Sequence, residues 1–159
     1  MSAVNQIARA YAGVSSLFNY LRSPLLLAIR LYWGWQFAQD GWGKLTHLDR
    51  VGSYFAELHL PAPHATALFV ALVELAGGIT LAAGVATRLT SLVLFVNMTV
   101  AFWTAEKDAF LGVLSNPDKF QAADAYNYWF AALLILVLGP GWFAIDTFLV
   151  RKFAPNSKV

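Results

Sequence analysis

Arg30, Glu74 and Asn97 stand inside otherwise apolar stretches, and Lys44 closes the first of those stretches. Ionisable and amide groups in such surroundings are costly to desolvate, so each needs a pairing or functional reason. Arg30 lies ~9 Å into its stretch at 1.5 Å per residue, and Asn97 ~13 Å beyond Arg88 by the same rise. Glu74 falls near the middle of its own. Similar depths predict an Arg30–Glu74 ion pair hydrogen-bonded to Asn97. Arg30, Gly34, Phe37, Gly41 and Lys44 recur at helical spacing and would carry this polar face toward one surface. A carboxylate held by a cation and an amide can exchange protons and orient a polar ring. Glu74 and Arg30 are therefore the candidate catalytic pair. Asn97 and Lys44 are candidate donors to a substrate, and Trp33 and Phe37, with Trp35, are candidate walls. Each residue also has a plainer reading. Arg30 can snorkel to headgroups, Glu74 can be a protonated structural group, and Asn97 can join two helices.

Other chemistries find little support. His47, His59 and His64 share one segment without the HxxxH spacing of a helix-borne metal pair. No metal site, flavin motif, nucleotide loop or nucleophile–base arrangement is recognisable. The chain has no cysteine, which removes disulfides and dithiol relays from this subunit. A net charge of +2 is too small for a nucleic-acid footprint, so no nucleic-acid partner is expected.

Four apolar stretches must position the polar groups: roughly Pro24–Ala38, Ala65–Ala83, Leu89–Trp103 and Tyr126–Leu138. Charged residues make up 13% of the chain, about half of what a soluble domain carries. Crossing ~30 Å of hydrocarbon takes ~20 largely apolar residues, and a lipid-facing backbone must bond to itself as helix. The fold class expected is all-α, an integral membrane four-helix bundle. Gly84–Arg88 links the second and third stretches as a tight hairpin. Trp42, Trp103, Tyr126, Tyr128, Trp129 and Trp142 sit at the predicted boundaries, where headgroup-level anchoring explains them.

Before these stretches, Val4, Ile7, Tyr11, Val14, Phe18 and Leu21 alternate at spacings of three and four. This predicts an amphipathic interfacial helix over residues 1–22, ended by Pro24. No export signal is expected. The divisions are thus 1–22 interfacial, 23–150 transmembrane and 151–159 a cytoplasmic tail. Arg9, Arg22, Arg88, Arg151, Lys152 and Lys158 fall on one side, with Lys44, Arg50, Lys107 and Lys119 on the other. The excess predicts both termini inside. Arg50–Leu60 reads as a short helix and Asn116-Pro117 as a turn.

The residues also carry a family likeness. Arg30, Gly41-Trp42-Gly43-Lys44, Glu74-Leu75-Ala76-Gly77-Gly78, Gly84-Val85-Ala86-Thr87-Arg88, and Gly139-Pro140-Gly141 with Asp146 stand in order at family spacing. On these pieces the chain resembles DoxX, a group of small four-helix bacterial membrane proteins, from about Leu25 to Leu149. The resemblance implies a bacterial inner-membrane bundle linked to quinone or redox chemistry. It is also similar in design to the vitamin K epoxide reductase group, whose cysteine pairs this chain lacks. A quinone headgroup needs hydrogen-bond donors, a route for two protons and apolar walls, which the candidate residues could supply. The expected function is a subunit of a quinone-linked membrane oxidoreductase, with redox partner proteins supplying electrons. The competing expectation is a non-enzymatic membrane scaffold or small transporter in which the Arg–Glu pair is a structural lock. Small-residue faces add a homo-oligomer to the expected partners, beside membrane lipid.

Overall fold

The computed structural model describes residues 3–153, and every regular element among them is a helix. The first, α1, runs unbroken over Ala3–Thr46, ~66 Å at 1.5 Å per residue. Then come α2 (Leu48–Glu57), α3 (Pro63–Ala83), α4 (Thr87–Ala105), α5 (Lys107–Leu111), α6 (Pro117–Ala122), α7 (Asp124–Leu138) and α8 (Ile145–Phe153). Two of these, α3 and α4, are long and apolar enough to cross a membrane, while α7 is apolar but has 15 residues.

Local chemistry sets most boundaries. Pro63 opens α3 at a first-turn position, where its missing N–H costs nothing. Gly84 closes it at φ +74°, with the Gly84 and Val85 N–H groups returning to Thr80 O. Asn116 Oδ1 accepts from Lys119 N and caps α6, and Pro117 follows, so the expected turn is a helix start. The short helix expected over Arg50–Leu60 is α2.

Two expectations change. Pro24 does not end a separate interfacial helix; α1 passes through it. Proline removes one helical bond and disfavours a helix interior, but tertiary contacts hold the course here. Arg22 Nη2 donates to Leu138 O at 2.7 Å, and Trp142 N donates to Ser23 Oγ at 3.3 Å. The expected tail at 151–159 is likewise helical as far as Phe153; residues 154–159, including Lys158, lie outside the described residues, as do 1–2.

The long helices α1, α3, α4 and α7 touch in cyclic order, and α2 folds back against α3. The α1–α3 seam is built on glycine. A Cβ on Gly78 would meet Ala38 N and Gly34 O at 2.5 Å, and one on Gly34 would meet Gly78 O at 2.7 Å. Absent side chains let the backbones touch, and Gly41 opposite Ala71 and Leu75 extends the seam. Phe37, Leu81, Leu94, Met98, Ala132 and Ile135 form the interior between the four helices. A second cluster of Phe102, Ala109, Phe120 and Ala123 seats α5 and α6 on the end of α4.

Candidate functional site

The α1–α3 seam decides which polar groups meet. Gly34 facing Gly78 and Ala82, and Gly41 facing Ala71 and Leu75, fix two antiparallel helices in one register. In that register the end of α1 comes alongside Glu74, while Arg30 comes alongside Gly84. Lys44 Nζ therefore donates to Glu74 Oε2, and Asn97 Nδ2 reaches Glu74 Oε1 from α4 at 3.2 Å. The Glu74 side chain is 2% exposed and that of Lys44 is 29%, so the pair joins an interior carboxylate to a cation at the rim.

The expected Arg30–Glu74 pair does not form. The two are separated along α1 by the distance from Arg30 to Lys44, ~21 Å at 1.5 Å per residue. Their depths only look alike when the first stretch ends at Ala38, whereas α1 continues to Thr46. Arg30 is fully buried elsewhere. Its Nη1 donates to Pro140 O and its Nη2 to Phe143 O at 3.0 Å, with the Asp146 carboxylate nearby. Asp146 in turn accepts from Ala86 N and Thr87 N, each at 2.7 Å. It thereby caps α4 across a sequence gap, and holds Ala86 at φ +45°. Arg30 and Asp146 thus tie the α3–α4 turn to the α7–α8 connection. This is a structural lock, and snorkelling does not describe it. Among the described residues, Arg30 Nε, Thr87 Oγ1 and Ser91 Oγ are buried without a hydrogen-bond partner.

Asn97 does join α3 to α4, as its plainer reading held, but it does so on the candidate carboxylate itself. Lys44, Glu74 and Asn97 line a cavity of about 410 Å³ at the end of the fold away from Arg30. Asp40, Tyr54 and Tyr128 share the same walls, with Leu60, Val70 and Val100 among the apolar residues. Residues of α2, Glu106 just before α5, and the start of α7 also line the cavity. Glu106 is occupied: its carboxylate accepts from Asp124 N at 3.1 Å and Ala125 N at 3.3 Å. A more open recess of about 520 Å³ adjoins through Asp40, Lys44 and Tyr54, and adds His47 and Arg50.

Trp33 and Phe37 do not line the cavity; they stand behind it. Their rings meet that of Tyr128 edge-on at 5.3 Å and 4.9 Å, fixing its position. Trp35 faces outward. Tyr128 is not the boundary anchor expected of it, since it is half-buried at the cavity. Trp129 also turns inward, with Nε1 donating to Thr99 Oγ1 at 3.0 Å, whereas Trp42, Trp103 and Trp142 remain exposed. Asp40 was missed outright, although its spacing of four from Lys44 on one helix was a usable signal. Among the described residues no group of three or more His, Cys, Asp or Glu converges as a metal site.

A family model described as DoxX matches residues 25–107, just over half of the chain. The chain belongs to the DoxX family. The matched segment contains the whole Lys44–Glu74–Asn97 constellation and Arg30, but stops before Tyr128 and Asp146. No curated protein and no solved structure matches the chain. DoxX membership and the two apolar helices α3 and α4 together point to a membrane protein.

Proposed function

We propose that this DoxX protein is a multi-pass inner-membrane four-helix bundle of α1, α3, α4 and α7 that binds a quinone-type ring. The protein would serve as the quinone-handling subunit of a membrane oxidoreductase. The observation that carries this reading is the Lys44–Glu74–Asn97 constellation on the wall of a largely apolar cavity. A volume of about 410 Å³ falls in the range of small-molecule sites, where apolar walls surround a few convergent polar groups. Lys44 and Asn97 hold the Glu74 carboxylate in place, and Glu74 exchanges a proton with a ring oxygen beside it. Asp40 and Tyr128 add polar groups to the same cavity wall. The electrons come from a redox partner protein, since the residues at the site hold protons and charge but transfer no electron.

Arg22, Arg88, Arg151 and Lys152 gather at the end bearing the α3–α4 turn and α8. The sequence's basic excess, six residues (with Arg9 and Lys158) against four, favours that end as cytoplasmic, so the cavity faces outward. The test is purification in mild detergent, then extraction and mass spectrometry of what co-purifies. A stoichiometric quinone, lost in Glu74→Gln, is the expected result. Preparations of the unaltered protein empty of quinone, and failing to take up added quinone, would overturn the reading. A scaffold or transport role would then stand, with Arg30 as its structural lock.

A further inference from the structure

The cavity wall carries more carboxylate than cation. Among the described residues Lys44 is the one cation lining it, and it stands beside two carboxylates, Asp40 one helical turn earlier on α1 and Glu74 across the seam on α3. Asn97 directs its amide N–H to Glu74 and presents no further charge. The Tyr128 hydroxyl lies close to the Asp40 carboxylate, and Asp124 adds another negative charge to the lining. Glu106 is already engaged, each of its oxygens accepting one backbone N–H at the start of α7. With Glu74 almost wholly withdrawn from solvent, its remaining lone pairs can be met only by what enters the cavity.

We infer that the site selects a ring bearing hydroxyl donors, the quinol, over the corresponding dicarbonyl quinone. This inference rests on the functional reading above and names the form of the ligand. A quinol offers an O–H at each end of its ring, one for Glu74 and one for Asp40. A quinone offers carbonyl lone pairs at both ends, and these would face carboxylate lone pairs wherever Lys44 does not intervene. Hydrogen bonds to an ionised acceptor are the strong ones, so the discrimination falls on the two carboxylates. The aromatic edges of Tyr54 and Tyr128, the latter buttressed by Phe37 and Trp33, accept either ring without preference.

The experiment is isothermal titration of the detergent-purified protein, under anaerobic conditions, with a short-chain ubiquinol and the matching ubiquinone. The quinol is expected to bind at least about tenfold tighter, a difference of ~1.4 kcal/mol. Asp40→Asn, at an exposed position that leaves folding alone, is expected to lower that ratio to less than about a third of its value. Equal affinities, or a tighter quinone, overturn the inference and leave the quinone-binding function standing. A preference unchanged in Asp40→Asn also overturns it. Absence of binding by either form overturns both the inference and the function it rests on.

Discussion

Lys44→Met and Glu74→Gln remove opposite halves of one ion pair, yet their costs should differ severalfold. With Lys44 gone, a carboxylate 2% exposed keeps only the Asn97 amide as partner. Removing one member of a buried pair in this way costs ~3–5 kcal/mol. With Glu74 neutralised, Lys44 is not stranded, because its side chain is 29% exposed at the rim and turns to water. The new amide still bonds to Asn97, and the loss is ~1 kcal/mol. The double variant should recover part of the Lys44→Met cost, giving a coupling energy of ~1–3 kcal/mol for neighbours in one network. Arg30→Met combined with Glu74→Gln should be additive within ~0.5 kcal/mol, since the two share no partner. SDS-driven unfolding in mixed micelles, followed by far-UV circular dichroism, measures all five variants on one scale. The reasoning fails if Glu74→Gln is the costlier single change, or if Arg30 couples to Glu74 as strongly as Lys44 does.

Two further perturbations test the frame around the site. Asp146→Ala removes the acceptor of two 2.7 Å bonds from Ala86 and Thr87, and should lower stability by ~1–2 kcal/mol. Amide hydrogen exchange should quicken at Ala86 and Thr87, and unchanged protection there would refute the capping role. Gly78→Val places a side chain where Gly34 O and Ala38 N already stand at 2.5 Å from a bare Cβ, and should cost ~1–3 kcal/mol by forcing α1 from α3. Gly43→Ala, with nothing within 4 Å, should be neutral or stabilising by up to ~1 kcal/mol in the same unfolding assay. Equal costs for the two glycine changes would refute the seam.

The helical class, the α3–α4 hairpin and the short α2 were legible because each rests on neighbours in sequence. Apolar runs, Pro63 at a helix start and Gly84 at a left-handed turn act within a few residues of themselves. The DoxX likeness was legible for a related reason: the pieces Gly41–Lys44, Glu74–Gly78 and Gly84–Arg88 are contiguous strings. Pro24 shows where the same local reasoning misleads, because bonds from Arg22 and Ser23 to residues more than a hundred positions away keep the helix running.

The candidate site divides along the same line. The types of its residues were readable, since a carboxylate and an amide inside apolar stretches stand out in any sequence. Their pairing was not. Arg30 and Lys44 lie on one helix and either could have met Glu74; hydropathy places Arg30 inside the span and Lys44 at its end, which does not say which of them reaches the carboxylate. The choice belongs to the α1–α3 register, which Gly34, Gly41 and Gly78 set by letting two backbones touch at points that no side chain marks. Residue types and local helices follow from the chain itself, through bonds and spacings a few residues long. Which cation faces which carboxylate follows only from tertiary contact, because a slide of one turn along a seam changes every partner while leaving each helix as it was.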